Sequence, residues 1–289
     1  MCSKAMQVPA IIARGRAMRF FTTLASVAAL TLALITVAKA EDAPASEPVQ
    51  SAAVKQIYVR GDLGMGWHDV GEFTQASLAK NTGFFESAKV EETVILGVGI
   101  GTQVNRHVRF DLTGEYRTRA HVEARDNITA KIIAPDGLLQ SNTDYRGRLE
   151  SIVGLVNGYV DLFTYQGITP YVGAGVGIAR NTLTKLKTSG HATFTDAFGV
   201  VAPQTSNGFS ESNSRTDLAW ALMAGASLDL TKDVKLDIGY RYLDLGGAAS
   251  AKSGLLICDC GTIGTPLKLQ DLESHEFRIG VRIALWSDR

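Results

Sequence analysis

Two runs of alternating apolar residues meet between residues 94 and 117, and they constrain the fold more than any other part of the chain. Only Val104 to His107 separates the runs, which predicts one tight hairpin. A period of two is typical of a strand whose faces meet different surroundings. In the second run, Val108, Phe110, Leu112, Gly114 and Tyr116 alternate with Arg109, Asp111, Thr113, Glu115 and Arg117. The period alone does not decide whether the apolar face meets a core or lipid.

The same alternation recurs in about eight segments, each of about the length that a tilted strand needs to cross a bilayer. They are 57–67, the two arms of the hairpin, 148–162, 170–180, 217–230, 234–242 and 276–285. Segment 148–162 is ambiguous because it has apolar residues on both faces. We assign Ile152, Val156, Val160 and Leu162 to its outer face, and Asn157 and Asp161 to its inner face. The pattern predicts an all-β fold, an eight-stranded antiparallel up-and-down transmembrane β-barrel.

The connections between these segments alternate strictly in length. The short ones are Asn105-Arg106, Thr164 to Gly167 and Thr231 to Asp233; the long ones are 68–92, 118–147, 181–216 and 245–271. Antiparallel strands then place short periplasmic turns at one end and long outer loops at the other, as in outer-membrane barrels. Trp67, Tyr116, Trp220 and Tyr242 fall at the long-loop ends, where an interfacial aromatic girdle is expected.

Charged residues alternate with the lipid-facing set and are predicted to line the lumen. The charge network that we expect there comprises Arg60, Asp62, Arg109, Asp111, Glu115, Arg117, Asp237, Arg241, Glu276, Arg278 and Arg282. An eight-stranded barrel is just wide enough inside for side chains. Inward glycines in 97–101 and 173–177 would make room for long arginines. We therefore predict a plugged core and no open pore.

The N-terminus predicts export. Three arginines precede an apolar run that ends at Ala38-Lys39-Ala40, the pattern of a cleaved secretory signal. We expect residues 1–40 to be this signal with an upstream extension, Met18 being a possible true start, and 41–56 to be a flexible periplasmic lead-in before the barrel at 57–289. The formal net charge of zero argues against a nucleic-acid partner.

Four short motifs carry a family resemblance: Tyr58 to Asp62, Asn157 to Asp161, Pro170 to Gly177 and Leu236 to Tyr242. They resemble the small bacterial outer-membrane barrels related to the OmpA transmembrane domain and the opacity-type, porin-like surface antigens. The resemblance implies an integral protein of the Gram-negative outer membrane with surface-exposed loops. Its implied partners are outer-membrane lipid and lipopolysaccharide, the barrel-insertion machinery and, through the loops, extracellular or host molecules.

The C-terminal end departs from this family pattern. Members usually finish on an aromatic residue that the insertion machinery recognises, whereas Ser287-Asp288-Arg289 follows Trp286 here. No periplasmic peptidoglycan-binding domain is expected after the eighth strand.

Three further motifs suggest chemistry, and each has a simpler interpretation. The glycines of 97–101 alternate within a strand, and no helix follows to bind a phosphate. Ser274-His275-Glu276 resembles a hydrolase set, but adjacent strand residues point to opposite faces. Cys258 and Cys260 could form a strained loop disulfide in an oxidising compartment. We expect no catalytic residue, no cofactor and no metal site.

The long loops are where specificity is expected, because the scaffold is generic. The loop 118–147 could continue its two strands as a hairpin with Asp136-Gly137 at the turn, and 181–216 has the composition of a mobile surface segment. We expect a structural, surface-exposed protein that supports the envelope, and no enzyme. The leading alternative is a narrow porin-like channel; a lipid-modifying barrel enzyme and a soluble ligand-binding barrel are less favoured.

Overall fold

A computed structural model describes residues 56–75, 82–133, 136–196, 199–250 and 267–287. These residues form eleven strands: β1 Gln56–Gln75, β2 Thr82–Val90, β3 Thr93–Gln103, β4 Val108–Ile133, β5 Asp136–Asp161, β6 Ile168–Asp196, β7 Gly199–Ser210, β8 Asn213–Asp229, β9 Val234–Asp244, β10 Ala248–Ala249 and β11 Leu267–Ser287. Within these ranges no helix has the length and apolar character needed to cross a membrane. The expected signal at 1–40, nearly all of the lead-in and the two loop cysteines lie outside the described residues.

Eight of the strands form a closed antiparallel ring. Their order is β1-β3-β4-β5-β6-β8-β9-β11, and β11 pairs with β1 from Ser287 opposite Gln56 to Leu267 opposite Gln75. The predicted eight-stranded barrel is therefore confirmed. Strands β2, β7 and β10 lie outside this ring and pair with β4, β6 and β11 respectively.

The predicted hairpin is formed by β3 and β4. The amide of Val104 donates to the carbonyl of Val108 at 2.9 Å, and the Asn105 side chain accepts from the amides of His107 and Val108 at 2.8 Å. Asn105 thus closes the turn with its own side chain, as asparagine commonly does. Phe110 and Leu112 are exposed on the barrel surface, whereas their neighbours along the strand are buried.

Three of the four long connections consist mainly of strand, which corrects their assignment as loops. β4 and β5 each run for 26 residues, more than twice the 9–11 or so that cross a bilayer. The hairpin beyond the barrel is confirmed, but Asp136 pairs with Ile133, so Asp136 and Gly137 belong to β5 and not to the turn. Residues 181–196 and 199–210 also form paired strands, in β6 and β7, rather than a mobile surface segment. Main-chain pairing continues past the apolar band, and buried residues continue to alternate with exposed polar residues there.

A β-bulge divides β4 into two parts. Arg117 pairs with Ser151 and Ala120 with Leu149, so β4 has one extra residue at this point. We call the side of the bulge that carries the short turns below, and the opposite side above. Odd-numbered residues of β4 face inward below the bulge, and even-numbered residues face inward above it. An extra residue exchanges the two faces of a strand because side chains alternate with a period of two.

The interior above the bulge is mainly apolar. We call this group the upper core: Val122, Ala124, Tyr145, Leu149, Val153, Leu155, Ala179, Leu183, Leu186, Ala219, Ala221, Leu243, Leu245, Ala248, Leu267, Leu269 and Leu272. It draws on β4, β5, β6, β8, β9 and β11, and on the short β10. The ambiguous segment 148–162 is explained here, since Val153 and Leu155 point into the upper core while Ile152 and Val156 point outward.

The outer surface of the ring below the bulge is an apolar band. Exposed large apolar side chains occur on all eight strands, and examples are Leu63, Val98, Phe110, Ile152, Ile178, Leu218, Ile238 and Ile279. At the end of the band that carries the long connections, the indole N–H of Trp67 donates to Glu92 at 2.9 Å, and that of Trp220 donates to Asp244 at 3.0 Å. The Trp220 and Tyr242 rings lie 5.2 Å apart. This is the predicted aromatic girdle.

Candidate functional site

The lumen of the ring is occupied by charged side chains. All eleven residues of the predicted charge network lie on inward-facing positions, and Asp161 joins them from β5. Six arginines therefore meet six carboxylates inside the barrel. Arg109, Arg117 and Arg241 are among the largest fully buried side chains of the described residues. Burial on this scale requires paired charges, because an isolated ion in a low-dielectric interior is very costly.

The first cluster of the network is centred on Glu115 of β4. Both terminal nitrogens of Arg241 donate to its carboxylate, at 2.7 and 2.5 Å, and Arg278 donates to it at 2.7 Å. Arg241 also donates to Glu276 through Nε at 2.8 Å, and Glu276 accepts a further bond from Arg117. A bidentate arginine–carboxylate pair fixes both distance and orientation. β4, β9 and β11 are thus tied together through the middle of the barrel.

The second cluster is centred on Asp111, four residues along β4 towards the short turns. It accepts from Arg60 at 2.7 Å, from the Asn157 amide at 2.7 Å and from the Tyr58 hydroxyl at 3.2 Å. Arg60 also donates to Asp62 at 2.6 and 2.9 Å. β1, β4 and β5 are linked in this way. Arg278 lies 3.6 Å from Asp62 and so joins the first two clusters.

The third cluster closes the end of the lumen that carries the short turns. Arg282 lies 2.7 Å from Asp237, and Arg109 lies 3.1 Å from Asp161. The Arg109 guanidinium also lies over two aromatic rings, 4.0 Å from the centre of Tyr159 and 4.6 Å from that of Tyr171. Stacked cation–π contacts out of water contribute about as much as an ordinary hydrogen bond.

Inward glycines leave space for these large side chains. A methyl group at Gly97 would lie 3.1 Å from the Arg278 guanidinium, and one at Gly99 would lie 3.1 Å from the Arg60 side chain. Gly97 and Gly99 therefore make room for arginines, as predicted, whereas Gly101, Gly173 and Gly175 lie against Tyr58, Tyr159 and Asn157. Among the packed groups a cavity of about 20 Å³ remains, next to Arg60, Asn157 and Asp237. Such a space holds about one water molecule.

The upper core lies above the charge network and fills the same passage. Leu155, Leu183, Leu243 and Leu245 are each about 1% exposed or less. The described interior thus has a charged layer within the apolar band and an apolar layer that begins beside it, at Val153 and Leu155 opposite Glu115 and Thr113, and extends beyond the band. The sequence predicted the charged layer but not the apolar one, since its residues fell in segments assigned as loops. The alternating Ala120, Val122 and Ala124 were the signal that could have revealed it.

The other candidate residues do not form a reactive site. Ser274 is fully buried and accepts a hydrogen bond from Arg117 at 3.3 Å, whereas His275 lies on the opposite face beside Tyr240. The two residues therefore diverge, as adjacent strand positions require. Among the described residues, no group of three or more histidine, cysteine, aspartate or glutamate side chains is arranged to hold a metal ion.

A second surface, which the sequence did not resolve, is the sheet beyond the apolar band. β2, β4, β5, β6 and β7 pair in this order and present a charged outer face. Cross-strand ion pairs cover part of it: Arg119 with Glu150 at 3.1 Å, Arg125 with Asp144 at 2.6 Å and Arg146 with Glu123 at 3.6 Å. We call this five-stranded region the outer sheet.

One acid lies on the inner face of the outer sheet. Asp126 of β4 is buried, and its carboxylate accepts the Tyr145 hydroxyl at 2.7 Å and the Thr143 amide at 2.9 Å. Burial raises the pKa of Asp126, although both hydrogen bonds oppose that shift. The two bonds fix the β4–β5 hairpin at its outer part.

Comparison with known proteins decides the family. Residues 27–283 match the model of the outer membrane protein beta-barrel domain. The chain belongs to this family. A relative from Brucella suis biovar 1 (strain 1330), an uncharacterized protein, is 31% identical over 217 residues, which cover 71% of this chain and 73% of the relative. A Rickettsia typhi protein with the printed name "Putative adhesin" is 28% identical over 198 residues, 68% of this chain and 77% of that protein.

The chain is also similar to solved structures of outer-membrane proteins. The outer membrane protein OprG from Pseudomonas aeruginosa is 14% identical, with 81% of this chain and 99% of that chain covered and a TM-score of 0.43. The outer-membrane barrel described here is therefore an integral outer-membrane protein with surface-exposed strands. Its apolar band faces lipid, the short turns face the periplasm, and the outer sheet lies outside the cell.

Proposed function

We propose that this protein is a closed, non-catalytic barrel that anchors the outer sheet at the cell surface, where that sheet contacts other molecules. The observation that carries the proposal is the filled lumen: six arginines paired with six carboxylates within the membrane, and the upper core next to them. A passage blocked by two unlike layers has no continuous water path for ions. The barrel then acts as a rigid support, and contacts with molecules outside the cell are made by the outer sheet.

The adhesin name of the Rickettsia typhi relative supports a role in surface contact. Outer-membrane lipid, lipopolysaccharide, the insertion machinery and extracellular molecules are the partners that fit such a barrel. The absence of a catalytic role is supported by Ser274, which is buried within the charge network and not accessible from the described surface.

Conductance in planar bilayers tests the proposal. Refolded wild-type protein is expected to give no steady ionic current across the bilayer. The variant Glu115→Ala, Arg241→Ala, Leu183→Ala and Leu243→Ala removes two opposite charges together and two large side chains of the upper core, and it should produce current because both layers that block the lumen are then opened.

The matched control is Arg125→Ala with Asp144→Ala, which removes an exposed ion pair from the outer sheet and should stay silent. Steady current through the wild-type protein would contradict the closed lumen and favour the narrow channel instead.

A further inference from the structure

The outer face of β5 and β6 carries positive charge that the protein does not neutralise itself. Seven cations face outward on β4, β5 and β6 just above the apolar band: Arg119, Arg125, Arg146, Arg148, Arg180, Lys185 and Lys187. Three acids share this face, Glu123, Asp144 and Glu150, and each already pairs with an arginine. Within the described part of the chain, Arg148, Arg180, Lys185 and Lys187 form no ion pair.

Strand register places Lys187 opposite another cation and Arg148 beside Lys185, while Arg180 lies lower on β6. Lys187 lies directly opposite Arg146, and Arg148 lies opposite Thr184. Like charges placed directly opposite on neighbouring strands destabilise a sheet. This arrangement therefore points to a negative partner from outside the chain.

A local backbone distortion aims the lysines outward. Between Arg146 and Arg148, β6 has one extra residue relative to β5, and Lys185 adopts φ 52, the left-handed region that lysine rarely occupies. The bulge reverses the phase of β6, so that Lys185 and Lys187 are exposed while Leu186 is buried in the upper core. Bulges and strained residues of this kind commonly re-aim side chains at functional sites.

The height of the patch above the lipid selects the type of anion. Arg180 pairs with the lipid-facing Ile152 at the upper edge of the apolar band. Arg148 lies four residues further along β5, which corresponds to about 13 Å along the strand or about 10 Å along the barrel axis. Directly below, Ile152, Ile178 and Leu218 are 56%, 59% and 69% exposed. The surface is thus continuous from acyl-chain contact to positive charge.

We propose that Arg148, Arg180, Lys185 and Lys187 form a site for the phosphorylated sugar headgroup of an outer-leaflet glycolipid, lipopolysaccharide, whose acyl chains pack on the apolar residues below. Basic residues next to a membrane bind anionic headgroups with additive strength. The inference rests on the proposed function, because it takes the outer sheet to be the contact surface of a membrane-embedded barrel.

The test compares two triple variants that remove the same charge. The patch variant is Arg148→Gln, Lys185→Gly and Lys187→Gln, in which glycine accepts the left-handed conformation at 185 without strain. The control variant is Lys89→Gln, Arg125→Gln and Lys268→Gln, which removes exposed cations from β2, β4 and β11. Detergent-solubilised full-length barrels are titrated with intact lipopolysaccharide, with dephosphorylated lipopolysaccharide and with a soluble heparin fragment.

We expect the wild-type protein to bind intact lipopolysaccharide at least tenfold more tightly than the dephosphorylated form, and the patch variant to lose this preference while the control variant keeps it within threefold. Equal binding of intact lipopolysaccharide by the patch variant and the wild type would overturn the proposal. Heparin binding as tight as that of lipopolysaccharide would also overturn it, in favour of a soluble polyanion. Conductance of the same wild-type preparation reports separately on the closed lumen.

Discussion

Replacing Glu115 by glutamine should destabilise the barrel strongly, because this carboxylate neutralises two buried arginines. It accepts three hydrogen bonds, two from Arg241 and one from Arg278, all at 2.5–2.7 Å. Hydrogen bonds to charged groups contribute about 1.5–3 kcal/mol each, but these three share one acceptor group and do not add. Breaking a buried ion pair on one side costs about 3–5 kcal/mol, since the remaining charge stays buried. We expect a loss in this range.

The double variant Glu115→Gln with Arg241→Met separates the charge effect from loss of packing. It removes opposite charges together, and Glu276 keeps Arg117 while Arg278 keeps Asp62 as partner. The free energy of unfolding should therefore fall by less than the sum of the single losses, with a coupling energy of at least about 1 kcal/mol.

Guanidinium unfolding of the barrel in lipid vesicles measures these energies. Trp67 and Trp220 lie in the aromatic girdle, so tryptophan fluorescence reports their transfer from lipid to water. The control Arg125→Gln breaks an exposed pair and should change the free energy of unfolding by about 0.2–1 kcal/mol. The reasoning is refuted if Glu115→Gln costs no more than this control, or if the double variant loses the full sum.

Two further perturbations test the apolar band and the outer sheet. Leu112→Arg places a cation on the lipid-facing side of β4 and should cost about 2–4 kcal/mol in the same unfolding assay if the site lies near the bilayer midplane; the same stability as wild type would show that this face does not meet lipid. The raised pKa of Asp126 means that its contribution to stability is fully present below the pKa of an unfolded aspartate and is lost as the pH rises through the folded value. Asp126→Asn should therefore slow amide exchange in the β4–β5 hairpin at pH 7 and make it less dependent on pH, and unchanged pH dependence would exclude Asp126 as its source.

The barrel ring could be predicted because one rule governs it along its whole length. Residues such as Phe110 and Leu112 must meet lipid while Arg109 and Asp111 must avoid it, so the period of two is clear in every spanning segment except 148–162. The pairing partners inside the lumen could not be deduced in the same way. That Glu115 meets Arg241, 126 positions away, depends on strand order and register in three dimensions.

The β6 part of the outer sheet was missed because a β-bulge interrupts its alternation. At Lys185 the inward phase of β6 changes from odd to even positions, so no single period covers Leu183 and Leu186, although both are buried. Asp271 of β11 also has φ 52, and the inward phase changes there between Leu269 and Leu272. A search for unbroken alternation stops at such points and assigns a loop, which is what happened for 181–216.

The bulge in β4 explains how one strand can be surrounded by lipid in its lower part and by water in its upper part. Its sequence alternates without a break from Val108 to Arg125, with mainly apolar residues at even positions and mainly charged or polar ones at odd positions. Inside the membrane the even residues must face outward, because lipid surrounds the barrel, and the charged odd residues must pair in the lumen. Above the membrane water surrounds the barrel, so the hydrophobic effect now favours the even residues inside. The extra residue between Arg117 and Ala120 exchanges the two faces where the surrounding solvent changes. In β4 the charge network and the upper core therefore arise from one alternating pattern, whose charged residues face inward on one side of the bulge and whose apolar residues face inward on the other.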